Sequence, residues 1–219
     1  MLKLRILLLT CIVLIFALIS PTAAKAVSSP SPSATGTLVL YDSTGQWKFL
    51  GDLYGQLAQN LASRFGSTHA EPVSAYTAGQ MRNYRSVIYI GSTYDEKIPQ
   101  TFLDDVLANT TEVLWAGANV WQLDNRANTD NITGRFEDQY GWKYISYDTS
   151  SVTQVRYKNR LLDRSEDNAG GILNLTITDP KKAIVKAEAI RANKTTFPWE
   201  TKSGKLTYIG EVPLSYFDE

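Results

Sequence analysis

Cysteine and histidine are almost missing from this 219-residue chain: Cys11 and His69 are the only ones. A single cysteine cannot close an internal disulfide. The pair also excludes a zinc site built from several Cys and His ligands, leaving open only a carboxylate-rich oxygen site for a harder cation. Charge of one sign is lacking too, since 22 Lys+Arg balance 22 Asp+Glu. With no basic block and no net positive charge, nucleic acid is not expected as a partner, because phosphate binding leaves a basic patch in the composition. No Walker-type loop and no complete dinucleotide fingerprint is present, so no cofactor is expected.

Long apolar runs are confined to one place. Lys3 and Arg5 precede the run Ile6 to Ile19, and Ala24-Lys25-Ala26 offers small residues at the spacing a signal peptidase needs. The run is about 14 residues, short of the roughly 20 that span a bilayer. Residues 1–26 therefore read as a cleaved signal peptide, with an uncleaved anchor as the alternative. The protein is expected to be secreted or held in the cell envelope, with no stable membrane span after cleavage. Cys11 lies inside the apolar run, a poor context for lipidation, and would leave with it. Losing Lys3, Arg5 and Lys25 at the same time turns the balanced charge slightly acidic. Residues 27–36 read as a Pro/Ser linker.

From Thr37 the pattern is that of a folded domain. Gly36 to Asp42 is an apolar strand, and Leu50, Leu53, Tyr54, Leu57, Leu61 and Phe65 recur at helical spacing before Gly66. Ala70 to Ala75 reads as a short strand and Ser86 to Ile90 as a stronger one. Pro99 opens a helix with Phe102, Leu103, Val106 and Leu107 on one face, and Glu112 to Ala116 is the next strand. This alternation predicts an α/β domain over 37–142, flavodoxin-like, with a mostly parallel, doubly wound sheet covered on both faces. After Tyr140 the period changes to two. Leu173, Leu175 and Ile177 alternate with polar residues, as do Val185, Ala187 and Ala189. Residues 143–219 therefore read as a β-rich extension packed on the core.

Ligands of open α/β sheets settle at the carboxyl ends of the strands. Three strand ends supply the candidate ligand-binding residues: Asp42, Ser43 and Thr44 with Trp47 just beyond; Ser92, Thr93, Tyr94 and Asp95; and Asn119, Trp121 and Gln122. Their hydroxyls, amides and aromatic rings suit a polar ligand. The same residue types also make ordinary turns and caps. The sharp turn Gly117-Ala118-Asn119 stands where amidotransferase-like domains carry a nucleophilic cysteine and hydrolases a serine. Alanine and asparagine provide no such nucleophile, and His69 has no thiol to activate. The adjacent carboxylates Asp95-Glu96, Asp104-Asp105 and Glu137-Asp138 read as surface charge. No catalytic or metal-binding residue is assigned.

The strings LVLYDSTGQWKFLGDLYGQLAQNLASRFG, SVIYIGSTYDEKIPQTFLDDVLA, EVLWAGANVWQL and SGKLTYIGEVPLSYFDE together resemble the N-terminal part of exported bacterial proteins of uncharacterised function. In that group a class I glutamine-amidotransferase-like domain precedes a polysaccharide-deacetylase-like barrel. The resemblance implies an envelope setting and a link to carbohydrate. The deacetylase barrel is not present in this chain, and one histidine cannot complete its Asp-His-His metal triad.

Two functional readings follow. In the first, the chain is a non-catalytic accessory or binding domain whose strand-end edge contacts a glycan or a deacetylase-like catalytic domain, in cis or in trans. The second is a carbohydrate-active hydrolase using carboxylates, with Asp42 and Asp95 facing each other from neighbouring strand ends. A purely structural remnant is the remaining alternative, favoured if the extension covers the edge.

Overall fold

A computed structural model describes residues 34–129, 133–148, 151–164 and 171–212. The expected signal peptide at 1–26 and residues 27–33 of the expected linker lie outside the described residues. No described helix is long and apolar enough to cross a membrane.

The chain forms β1 (Thr37–Tyr41), α1 (Lys48–Ser63), β2 (Thr68–Pro72), β3 (Ser86–Gly91), α2 (Gln100–Leu107), β4 (Glu112–Gly117), α3 (Val120–Ala127) and α4 (Arg135–Tyr140). Seven strands follow: β5 (Trp142–Asp148), β6 (Val152–Tyr157), β7 (Arg160–Asp163), β8 (Ile172–Ile177), β9 (Ala183–Arg191), β10 (Thr196–Ser203) and β11 (Leu206–Ile209). The expected strand at 70–75 is displaced to Thr68–Pro72, because Val73–Ala75 closes a 3-10 turn directly after Pro72.

The fold is mixed α/β. Nine strands make one sheet in the order β2-β1-β3-β4-β11-β10-β9-β6-β7. The first five are mutually parallel and the rest antiparallel. β11 joins the two parts, since it pairs with β4 in parallel and with β10 across the tight turn at Gly204. The sheet is thus continuous across residue 142. β5 and β8 pair separately as an antiparallel ribbon.

Both faces of the parallel part are covered, but unequally. On one face α2, α3, α4 and the β5–β8 ribbon enclose the main core around Leu38, Leu40, Tyr89, Phe102, Trp115, Trp142 and Tyr208. Trp115 packs on Tyr89 at 4.6 Å and on Phe102 at 5.9 Å between ring centroids. Such pairs contribute about 0.5–1.5 kcal/mol each beyond the area they bury. Among the described residues the only helix on the opposite face is α1, whose Tyr54 packs with Val39 and Ile90, and there Ile88 and Leu114 stay half-buried.

α1 reverses the burial its spacing suggests. The buried residues are Gly51, Tyr54, Gly55 and Ala62, whereas Leu53, Leu61 and Phe65 are exposed. The glycines are the cause. A Cβ at Gly55 would lie 2.6 Å from the Tyr41 ring, so the helix seats Gly51, Gly55 and Ala62 inward with Tyr54 and leaves Leu53 and Leu61 outward. β9 differs from expectation in the same sense: Ala183, Ala187 and Ala189 are buried while Val185 is exposed.

Candidate functional site

Strand order reverses at β1, which sends the chain to β2 on one side and has β3 on the other. The carboxyl ends of β1 and β3 therefore mark the edge at which ligands of open α/β sheets usually settle. Asp42 is fully buried at this edge, directly after β1. Its Oδ1 accepts a 2.7 Å hydrogen bond from the Tyr89 hydroxyl, and its Oδ2 accepts from the Thr93 backbone N–H at 2.8 Å and from Asn119 Nδ2 at 3.3 Å. One carboxyl thus ties together the ends of β1, β3 and β4.

Asn119 is buried and holds a left-handed backbone conformation (φ 74°) that asparagine tolerates better than most residues. Its amide also donates to the Tyr89 hydroxyl and the Thr93 carbonyl, each at 3.0 Å. The preceding turn is tight. A Cβ at Gly91 would lie 2.6 Å from the Ala118 carbonyl oxygen, and the Ala118 N–H donates to the Gly91 carbonyl at 2.9 Å. The elbow shape is thus formed with Ala118 and Asn119 at its tip.

Burial pushes the Asp42 carboxyl up to about 7, and the nearby Glu96 carboxylate adds to the rise; the hydrogen bonds from Tyr89, Thr93 and Asn119 oppose it without cancelling it. The Tyr89 hydroxyl is pushed well above its ordinary value, first by burial and then by the Asp42 charge.

Glu96 was not legible as part of the site, because an acidic pair ordinarily faces solvent. Here Asp95 is exposed but Glu96 is buried, accepting from the Thr44 N–H at 3.2 Å and from the Thr44 hydroxyl. Gln122 braces the same loop, with its Oε1 accepting from the Ile98 N–H at 3.0 Å and its Nε2 donating to the Glu96 carbonyl at 2.6 Å. The Thr93 hydroxyl donates to the Thr44 carbonyl at 3.4 Å. Ser43 is half-buried beside Asp42. Ser92 has a buried Oγ with no partner among the described residues.

The outer rim is aromatic. Tyr94 lies 5.1 Å from Trp121 and 6.2 Å from Tyr147, and Trp121 lies 6.4 Å from Tyr147, between ring centroids. Trp121 Nε1 donates to Asp95 Oδ1 at 3.4 Å. Tyr94 is 71% exposed, while Trp121 and Tyr147 are half-buried. Tyr147 comes from β5, outside the sequence-derived set. A β-bulge between Tyr144 and Ser146 places Tyr144 and Tyr147, three residues apart, against the same core. Regular alternation would have put them on opposite faces.

Trp47 is not gathered in. Its ring partner is Phe49, 6.2 Å away on the outer side of α1. His69 stands exposed on β2, 3.2 Å from Glu71. The other carboxylate pairs are structural. Asp105 is buried and accepts from the Tyr76 hydroxyl at 2.7 Å and the Gly79 N–H at 2.5 Å, and Asp104 pairs with Arg126 at 2.6 Å. Glu137 and Asp138 occupy the first turn of α4, where negative charge suits the helix dipole. Among the described residues no group of three or more His, Cys, Asp or Glu could hold a metal ion.

No protein-family model and no curated protein matches the chain. Solved structures do. A ThuA-like protein from Bacteroides uniformis ATCC 8492 superposes with a TM-score of 0.51 at 11% identity, over 86% of this chain and 85% of that one. The exo-beta-1,4-mannosidase Op5Man5 from Opitutaceae bacterium strain TAV5 gives a TM-score of 0.51 at 9% identity, over 88% of this chain. This chain spans 33% of the length of the mannosidase chain. At these identities the likeness is one of fold.

Proposed function

We propose that the protein is a non-catalytic glycan-binding domain of the cell envelope, reading its ligand with the aromatic rim of Tyr94, Trp121 and Tyr147. The observation that carries this is the rim itself: three rings from three separate elements, gathered at the strand-end edge with Tyr94 largely exposed. Sugar rings present flat C–H faces that pack on aromatic surfaces, and their hydroxyls donate hydrogen bonds to a neighbouring acceptor. Asp95, against Trp121, supplies that acceptor.

The strand order supports the finer reading of the fold as a flavodoxin-like, amidotransferase-like core over 37–142 with 143–219 as a β-rich extension that lends Tyr147 to the edge. Export rests on the leader at 1–26, and the link to envelope carbohydrate on the resemblance of the four strings to the deacetylase-linked proteins. A deacetylase-like catalytic domain, in cis or in trans, is the partner this reading assigns. The hydrolase reading needs Asp42 and Asp95 open to one substrate, and it is disfavoured because both Asp42 oxygens are already engaged inside the protein.

The test uses protein expressed with its own leader and recovered from the envelope or the medium. Retention on insoluble peptidoglycan or chitin is expected, with quenching of tryptophan fluorescence. Trp121→Ala is expected to weaken binding at least about tenfold, a loss of about 1.4 kcal/mol. Failure of the native protein to bind either polymer, or unchanged binding in Trp121→Ala, would overturn the proposal. Release of new reducing ends would favour the hydrolase.

A further inference from the structure

Acid accompanies the aromatic rim on two sides. Asp95 follows Tyr94 in a left-handed backbone conformation (φ 60°) and accepts from Trp121 Nε1 at 3.4 Å. Asp124 stands three residues after Trp121 on α3, a spacing that sets the two on one side of the helix. Burial pushes the Tyr144 hydroxyl up, and the charges of Asp124 and then Tyr94 add to the rise, so Asp124 and the rim both lie close to Tyr144. The Asp124 carboxyl is itself raised by burial; the Asn128 amide, donating at 2.6 Å, opposes the rise and the Glu137 charge from α4 adds to it. No base offsets these acids. Among the described residues no Lys or Arg forms an ion pair with Asp95 or Asp124, and Lys97, exposed two residues after Asp95, pairs with neither.

We propose that the ligand of the rim is a cationic glycan, a polymer of amino sugars whose amines are free and protonated. The inference rests on the glycan reading and names the sugar class that the same site takes. The faces of Trp and Tyr rings attract an ammonium within about 6 Å of the ring centroid. The three rim centroids are 5.1, 6.2 and 6.4 Å apart, so one ammonium above them lies within that reach of all three. Asp95 and Asp124 supply the counter-charge, and hydrogen bonds between charged groups are the strong ones. For Asp124 the gain is greater, because an ammonium beside a half-buried carboxylate offsets the cost of its burial. A neutral N-acetyl group obtains neither attraction, and an acidic glycan meets like charge from Asp95, Asp124 and Glu137. A lysine-rich protein segment would satisfy the charge but brings no flat sugar face for the rings.

Titration of the protein, expressed with its own leader, with chitosan oligomers, chitin oligomers of equal length and poly-lysine tests this in mildly acidic buffer, where the chitosan amines are protonated. Chitosan is expected to bind at least about tenfold more tightly than chitin, from ring and carboxylate attraction together, and to weaken as salt is raised. Asp95→Asn combined with Asp124→Asn is expected to cut that preference to about threefold, the part the rings retain. Asp95→Asn alone, at an exposed position, is expected to lower it part of the way. Glu188→Gln, at an exposed acid of β9 paired with Arg156, is expected to leave it unchanged. Chitin bound as tightly as chitosan, poly-lysine bound as tightly as chitosan, or a preference undiminished in the double variant would each overturn the inference. Equal binding of chitin and chitosan removes this inference and leaves the glycan reading standing, whereas failure to bind any of the glycans removes both.

Discussion

Replacing Gly51 by alanine is expected to lower the melting temperature by roughly 5–10 °C, a loss on the order of 2–4 kcal/mol. The alanine Cβ would lie 1.8 Å from the Asp42 carbonyl oxygen and 2.9 Å from its carbonyl carbon, with the Ser92 Oγ at 3.4 Å. The first two atoms are backbone, so neither can rotate away. Either α1 must lift off β1, or the segment after Asp42 must move. Lifting the helix loosens its packing on Val39 and Ile90, and moving the segment disturbs the carboxyl that ties three strand ends. The conformational preference of alanine for helix would favour the variant by up to about 1 kcal/mol, which the overlap outweighs. Gln56→Ala, on the exposed side of the same helix, is the control and should stay within about 0.5 kcal/mol of the native protein. Thermal unfolding of the two variants checks this, and a Gly51→Ala protein as stable as the control would show that α1 does not seat on β1 as described.

The stability of the protein is expected to fall as pH rises from about 4 to about 7, and Asp42→Asn is expected to remove most of that dependence. In the folded protein the Asp42 carboxyl is raised to about 7 from an ordinary value of 3.8. Between those two values the folded chain holds a proton that the unfolded chain has released, so acidification favours the fold. The contribution is complete below the unfolded value and is lost as pH rises through about 7. Its ceiling is on the order of 4 kcal/mol, because a tenfold difference in proton affinity corresponds to about 1.4 kcal/mol. Asparagine has nearly the shape of the protonated carboxyl and cannot ionise. Asp42→Asn should therefore match the native protein near pH 3.5 and exceed it near pH 8. Denaturant titrations at a series of pH values decide the matter. If Asp42→Asn is much weaker at every pH, the ionised carboxylate is the form that three donors hold in place.

Part of the site could be read from the sequence because it depends on local chemistry. Small polar residues after apolar runs mark strand ends, and parallel strands bring those ends to one edge. Asp42, Thr93, Asn119, Trp121 and Gln122 are joined there by hydrogen bonds, directly or through one loop. Glu96 and Tyr147 were missed for physical reasons. An acidic pair reveals nothing about which member turns inward. The side on which Tyr147 emerges is decided by one bulge in β5, whose only trace in the sequence is the spacing of Tyr144 and Tyr147. Trp47, adjacent to a strand end in sequence, is carried outward by the first turn of α1.

The order of strands and helices through β4, the elbow tipped by Ala118 and Asn119, and the scarcity of metal-binding side chains were all written in the amino-acid sequence. Periodicity, turn chemistry and residue identity act over a few residues and need no knowledge of the fold. Tertiary structure alone decided that β11 enters beside β4 and makes one sheet of both halves. It also decided that α1 buries its glycines and exposes its leucines, and that one buried aspartate titrates near neutrality. Those outcomes depend on which surfaces approach within a few ångströms, and close approach is set by the packing of segments far apart in the chain.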